Sequence, residues 1–319
     1  MSPLKIFEYI SMGKKVVSTN LPDIEGYPNV FTSDIKEEWL ELIDSELGID
    51  EFDVFVLQNN WYSRCREILE YSEKFEKNEK ISIVILNRNN MKTIFKCVRS
   101  LLHFNSYNYE VVVVDNQSTD GSYELLKEEF EDSITLLRNS KNGCSSGRNL
   151  GAEHSTGGLL FFLDSDQWII EKNWLDHAID IIYSHKTVGA VGWNAGWFDK
   201  GSVEGPIVDY YENRAIKPSE LFRTDVAYLA TSGLLMTKKL FEEIEGFDEY
   251  YDPTCFEDTD LSLKIKYFGY ELAYCPYMSI FHLPHQTTNS GSLEHKKRME
   301  RNGRYFLDKW NAIDSNLLA

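Results

Sequence analysis

The stretch Leu159-Leu160-Phe161-Phe162-Leu163-Asp164-Ser165-Asp166 decides how this chain is read. Five apolar residues follow the breaker pair Gly157-Gly158. The run is too short for a stable helix and apolar on both alternating faces, which predicts a strand buried on both sides. It stops at two carboxylates flanking one small residue. Open α/β sheets gather ligands beyond the carboxyl ends of their strands, so Asp164 and Asp166 can turn toward one point there. Two hard oxygens on a buried strand's tip suit a divalent cation holding a phosphorylated substrate. Asp-Ser-Asp is also a good turn and helix cap, and its meaning depends on the rest of the chain.

Upstream, Ile81-Ser82-Ile83-Val84-Ile85-Leu86 reads as a second buried strand that ends in Asn87-Arg88-Asn89-Asn90, followed by a helix to His103. Glu110-Val111-Val112-Val113-Val114 is a third, closed by Asp115, and Asn116 to Ser122 turns the chain into another helix. Ile134 to Arg138 is a fourth strand, and the glycine-rich run Asn142 to Ala152 opens a helix leading back to the Asp164 strand. Apolar strands alternating with helices argue for parallel pairing, so Asn87, Arg88, Asp115 and the Asp164/Asp166 pair converge on one crevice. Small residues in the glycine-rich run allow either close helix packing or close approach to a phosphate, with Arg148 as its one candidate ligand contact.

Downstream, Ala230 to Met236 reads as a small-residue strand, Phe241 to Asp248 as a helix and turn, and Phe256-Glu257-Asp258-Thr259-Asp260 as the start of a helix. Acidic residues belong in a first helical turn, but three within four positions exceed what capping requires. Met278 to His282 reads as a strand ending in histidine. Trp193, Trp197, Tyr210 and Tyr211 lie among glycines, where aromatic faces either stack on sugars or fill a core. The tail from His295 to Trp310 reads as a helix, packed on the rear of the domain or laid on a membrane surface.

Residues 81–290 resemble the family 2 glycosyltransferases through the strand ending in Asn87-Arg88, the Asp115-Asn116-Gln117-Ser118-Thr119-Asp120-Gly121-Ser122 segment, Asp164-Ser165-Asp166, Gly246-Phe247-Asp248-Glu249 and Glu257-Asp258-Thr259-Asp260-Leu261. The resemblance implies an α/β chain with a GT-A (Rossmann-like nucleotide-diphospho-sugar transferase) fold. It implies a metal-dependent inverting enzyme moving a sugar from a UDP, GDP or dTDP donor to an acceptor hydroxyl of a glycan, a lipid-linked glycan or a protein. On that pattern Asp115 holds the nucleoside, and Asn87, Arg88 and Arg148 stand near the donor. Asp164, Asp166 and His282 hold Mn2+ or Mg2+, with His285 as the alternative histidine. Asp258 acts as the base with Glu257 beside it as support or second candidate, and Asp260 has a structural part.

Residues 1–80 read as a small α/β appendage: a helix from Pro3 to Met12, strands at Val16–Thr19 and Val30–Thr32, and helices near Lys36–Leu47 and Gln58–Phe75. The Pro3-Leu4-Lys5-Ile6-Phe7-Glu8-Tyr9 helix, the Gly13-Lys14 turn and the Val16-Val17 strand resemble the closing part of a GT-B glycosyltransferase. That likeness suggests a remnant or the end of a longer multi-domain chain. The alternating charges of Glu70 to Lys80 mark a linker, dividing 1–80 from an 81–319 domain with its C-terminal helix.

The 319 residues, 42% hydrophobic and 13% aromatic, suffice for a large core. A net charge of -18 argues against nucleic acid as a partner. Five widely spaced cysteines without a Cys-x-x-Cys pair indicate no disulfide framework and suit a reducing cytoplasm. No apolar run is long enough to span a bilayer, which leaves at most peripheral membrane contact. The rival readings are a non-catalytic carbohydrate- or nucleotide-binding module of a larger assembly, and a nucleotidyltransferase. An intact set of carboxylates argues against the first. The absence of an early glycine-rich triphosphate loop argues against the second.

Overall fold

The structure is a computed structural model that describes residues 9, 14–20, 30–44, 79–197, 221–283 and 292–318. Apart from Tyr9, the helices expected at Pro3–Met12 and Gln58–Phe75, together with Cys65, Tyr210, Tyr211 and His285, lie outside these residues. The chain divides into two compact units, Met1–Glu76 and Lys77–Ala319.

In the first unit, strands β1 (Val16–Ser18) and β2 (Val30–Thr32) pair in parallel, followed by helix α1 (Glu38–Asp44). Lys15 Nζ donates 3.0 Å hydrogen bonds to the carbonyls of Leu42 and Ile43, placing a cation where the helix's unpaired carbonyls need one.

The second unit is built on a seven-stranded sheet. Its strands in chain order are β3 (Ile81–Asn87), β4 (Tyr109–Asp115), β5 (Thr135–Arg138), β6 (Leu159–Asp164), β8 (Val188–Gly192), β11 (Leu234–Thr237) and β12 (Glu271–Tyr274). They lie in the order β12-β8-β11-β6-β3-β4-β5. Only β11 runs against its neighbours. Alternate residues feed opposite cores: Ile83, Ile85, Phe161 and Leu163 on one face, Val84, Leu160 and Phe162 on the other. This is why the strands read as continuous apolar runs.

Helices α2 (Met91–His103), α3 (Ser122–Phe130), α4 (Cys144–Glu153) and α5 (Asp176–Ser184) connect these strands. In the parallel register Asn87 stands opposite Asp115, and Leu86 opposite Asp164, so the three strand ends share one edge.

Two expected strands are shorter than their apolar runs. Residues 230–233 do not extend β11, because Gly233 turns at φ +92° and the Ala230 N–H bonds the Asn194 carbonyl instead. Strand β13 (Ile280–His282) pairs antiparallel with β7 (Gln167–Ile169) in a separate ribbon, setting His282 opposite Gln167. The remaining short pair is β9 (Ala195–Gly196) with β10 (Tyr228–Leu229).

Helices α6 (Lys238–Glu243) and α7 (Glu257–Tyr267) follow β11 and a loop. The final helix α8 (Leu293–Ile313) buries Phe306 and Trp310 against Tyr251, Phe256 and Leu263, so the tail packs on its own domain. Among the described residues, no helix is long and apolar enough to cross a membrane.

Candidate active site

Asp115 is fully buried at the end of β4. Its Oδ2 accepts from the Ser118 N–H at 3.1 Å and lies 3.4 Å from Arg138 Nε. Asn87 Nδ2 donates to Ser122 Oγ at 3.0 Å and Ser118 Oγ at 3.3 Å, while its own Oδ1 is buried without a partner. Arg88, beside it, is partly buried with Nη1 unpaired. An unmet acceptor and an unmet donor at one sheet edge are an incomplete polar surface of the kind a ligand completes.

At the end of β6 the carboxylates diverge. Asp164 Oδ1 meets Arg148 Nη2 at 3.1 Å. Asp166 turns to the β7–β13 ribbon, where its Oδ1 lies 3.5 Å from His282 Nε2. Ser165 between them is tied by Asn90 Nδ2 at 3.0 Å, and the Asp164 N–H is held by Gln167 Oε1 at 2.9 Å. Burial alone would depress the His282 pKa; the hydrogen bond and charge of Asp166, with the charge of Asp164, outweigh burial and raise it.

Among the described residues, no group of three or more His, Cys, Asp or Glu side chains gathers into a metal cage. Mg2+ and Mn2+ do not need one, since such ions commonly take one or two carboxylates and complete their shell with water and substrate phosphate. A carboxylate oxygen and an imidazole nitrogen at 3.5 Å, with Asp164 one-third exposed nearby, are a donor set that fits such an ion.

Glu257 and Asp258 open α7. Glu257 is buried, its Oε1 3.3 Å from Arg148 Nη1 and its Oε2 buried without a partner. Burial, reinforced by the charge of Asp258, pushes Glu257 up to about 7 against the pull of Arg148. Asp258 is partly buried and also raised by burial, although the Thr259 N–H bonds its Oδ1 at 2.8 Å. Asp260 is fully buried and faces away. It accepts from Trp310 Nε1 at 2.9 Å and Tyr251 Oη at 3.1 Å, and it pairs with Lys309 at 2.8 Å. This network clamps α8 to α7.

Arg148 is nearly inaccessible and spends its guanidinium on Asp164 and Glu257. The glycines around it serve packing. A Cβ on Gly147 would overlap Leu86, and one on Gly143 would overlap the Asp252 carboxylate. Asp252 Oδ1 accepts from the Ser145 N–H at 2.9 Å, supplying the acceptor this helix start otherwise lacks.

Asp252, Arg138, Asn90 and Gln167 were not anticipated as parts of the site. Gln167, adjacent to the carboxylate pair, and Asn90 and Arg138, in the polar ends of strands, left a local trace in the sequence; Asp252 did not. Trp193 is half-buried with its ring 6.2 Å from that of His282, edge to face.

Comparison with known proteins gives this geometry a family. Residues 82–244, just over half of the chain, match the family model described as Glycosyl transferase family 2. Glycosyltransferase AglE of Haloferax volcanii is 28% identical over 176 residues, covering 53% of this chain and 56% of that protein. The Escherichia coli protein named UDP-Glc:alpha-D-GlcNAc-diphosphoundecaprenol beta-1,3-glucosyltransferase WfaP is 30% identical over 96 residues, covering 30% of this chain and 38% of that one. The chain therefore spans about half the length of the first and less of the second.

The crystal structure of GalNAc-T7 with UDP, GalNAc and Mn2+ superposes at a TM-score of 0.59 over 76% of this chain and 51% of that one, at 17% identity. That likeness identifies the fold as GT-A. The family match begins after the first unit, and these likenesses lend no support to a GT-B origin for residues 1–80. The chain belongs to glycosyl transferase family 2.

Proposed function

We propose that this chain is a metal-dependent, inverting glycosyltransferase that moves a sugar from a UDP-, GDP- or dTDP-linked donor to a hydroxyl of a glycan, lipid-linked or protein acceptor. One observation carries the reading: a single guanidinium, Arg148, contacts both Asp164 at the end of β6 and Glu257 at the head of α7. Asp164 and Glu257, far apart in sequence, thus meet across one side chain, where a donor and an acceptor held beside them would meet.

In this reading Asp115, fixed by Arg138 and the Ser118 N–H, takes the nucleoside, with Asn87 and Arg88 beside it. Asp166 and His282, joined by Asp164, hold Mn2+ or Mg2+, which when bound neutralises charge developing on the departing diphosphate. Asp258 accepts the proton of the acceptor hydroxyl, with Glu257 beside it as support or second candidate. The acceptor oxygen bonds to the anomeric carbon as the bond from that carbon to the diphosphate breaks, inverting the centre. The name of the E. coli relative, a UDP-Glc-dependent transferase acting on a diphosphoundecaprenol-linked sugar, supports a UDP donor and a lipid-linked acceptor as the first pair to test.

The test is calorimetric titration of UDP, GDP and dTDP with and without Mn2+ on the wild type and Asp164→Ala, followed by turnover assays with the matching nucleotide sugars. Metal-dependent binding that Asp164→Ala loses, with turnover, supports the enzyme. Binding without turnover supports the non-catalytic module. A folded protein that binds none of the three refutes the reading.

A further inference from the structure

Arg148 offers one cation to more than one anion. Its Nη2 lies 3.1 Å from Asp164 Oδ1 and its Nη1 3.3 Å from Glu257 Oε1, with its side chain only 7% exposed. Glu257 Oε2 is buried and has no hydrogen-bond partner. Among the described residues, the other groups facing Glu257 are Asp258 on its own helix, Cys144 on α4, and, in the loop before α7, Cys255 and Thr254, whose Oγ1 is 3.5 Å from Oε1. None of these is a second cation. A carboxyl so placed retains its proton while Asp164 holds part of the one positive charge that touches it among the described residues, which agrees with its raised pKa.

We infer that Arg148 is a positioning residue that couples donor loading to the acceptor-side carboxylates: once a cation and a nucleotide diphosphate engage Asp164, the guanidinium is left to Glu257, closes on its unpartnered Oε2, and Glu257 releases its proton to solvent. The Glu257–Asp258 pair then carries its full charge only in the loaded enzyme. An acceptor hydroxyl arriving before the donor therefore meets a protonated, less basic pair. The inference rests on the reading of Asp164 as a donor-side ligand.

The experiment counts protons. UDP together with Mn2+ is titrated into the metal-free protein at pH 7 in two buffers of unlike ionisation enthalpy, or GDP or dTDP with Mn2+ where that is the nucleotide bound. The wild type is expected to release about half a proton more per nucleotide than Glu257→Gln, because a group titrating near 7 is half protonated there. Protons from His282 or from the diphosphate appear in both proteins and cancel in the difference. In an Arg148→Lys background, whose single ammonium cannot span both carboxylates as a guanidinium does, the Glu257-dependent release is expected to vanish while nucleotide binding persists.

Equal proton release from wild type and Glu257→Gln, with both binding nucleotide, overturns the coupling. So does full release in the Arg148→Lys background. If Arg148→Lys does not fold, the comparison of wild type with Glu257→Gln decides alone. A folded wild type that binds none of the nucleotides refutes the donor-site reading itself, and the coupling with it, a result distinct from binding without the extra proton.

Discussion

Glu257→Gln should make the protein more stable at alkaline pH, and the structure sets both the sign and the size. Burial, with the charge of Asp258 added to it, raises the Glu257 carboxyl from 4.5 to about 7 despite Arg148. Below about 4.5 folded and unfolded chains both hold this proton, and the group costs nothing. Between about 4.5 and 7 the unfolded chain has released it while the folded chain keeps it, so stability falls as pH rises. Above that range the folded state bears a buried, ionised carboxylate, a cost of about 3 kcal/mol at 1.36 kcal/mol per pKa unit.

That figure is an upper bound, because Asp258 shares the titration. Gln matches the shape of Glu and never ionises, so it removes the pH-dependent part. It leaves a constant offset from the altered contact with Arg148. Urea unfolding followed by tryptophan fluorescence at pH 5.5, 6.5, 7.5 and 8.5 measures the difference. The variant should gain on the wild type by about 2 kcal/mol between pH 5.5 and 8.5, nearly all of it below pH 7.5. A difference that stays flat, or one in which the wild type gains as pH rises, would mean that Arg148 dominates Glu257 and would refute the reasoning.

Asp258→Asn should lower kcat by about 10²- to 10⁴-fold, the usual worth of a general base, while calorimetry shows nucleotide affinity unchanged within twofold; an equal loss of binding would place Asp258 on the donor side instead. Trp310→Ala removes a fully buried ring and the indole donor to Asp260, so chemical denaturation should report a loss of about 3–5 kcal/mol. Gly143→Ala drives a methyl into the Asp252 carboxylate and Ser146, and a loss of about 1–3 kcal/mol is expected from overpacking; a neutral substitution would show that the loop carrying Asp252 shifts freely.

The parallel half of the fold was legible because each of β3, β4 and β6 is apolar at consecutive positions and ends in a polar residue. A strand covered on both faces requires that pattern, and the observed register puts Asn87, Asp115 and Asp164 at one edge. The ends of β11 and β13 were less legible. Ala230 and Thr231 are as buried as strand residues, but a single positive φ at Gly233 ends the ladder, and apolar composition does not record it.

Contacts spanning about a hundred positions were not legible at all. Arg148 reads in sequence as a side chain free to meet a ligand, and nothing near it announces Glu257. Asp252 reads as a loop residue before proline, although it caps α4 from across the domain. Such pairings follow from how the elements pack, and local pattern carries no trace of them.

Helix α4 explains why the loop before α7 lies against the end of β6. Because β11 runs opposite to β6, it begins where β6 ends, with the Gly233 N–H on the Phe162 carbonyl at 2.9 Å. The chain therefore leaves β11 at the far edge of the sheet and must return before α7 can present its carboxylates. The return is fastened to α4 along its length. Asn149 Nδ2 donates to the Phe247 carbonyl at 2.9 Å, and its Oδ1 accepts from the Phe247 N–H at 2.9 Å. Asp252 caps the helix start, and the Cys144 N–H bonds the Pro253 carbonyl at 2.9 Å. The same helix lies close on β3 and β4 through Gly147 and Gly151, where any Cβ would overlap Leu86 or Val84. One face of α4 thus grips β3 and β4, another grips the returning loop, and Arg148 projects between them. The glycines that pack and the arginine that reads as a ligand contact share one task, which is to hold Asp164 and Glu257 within reach of one guanidinium.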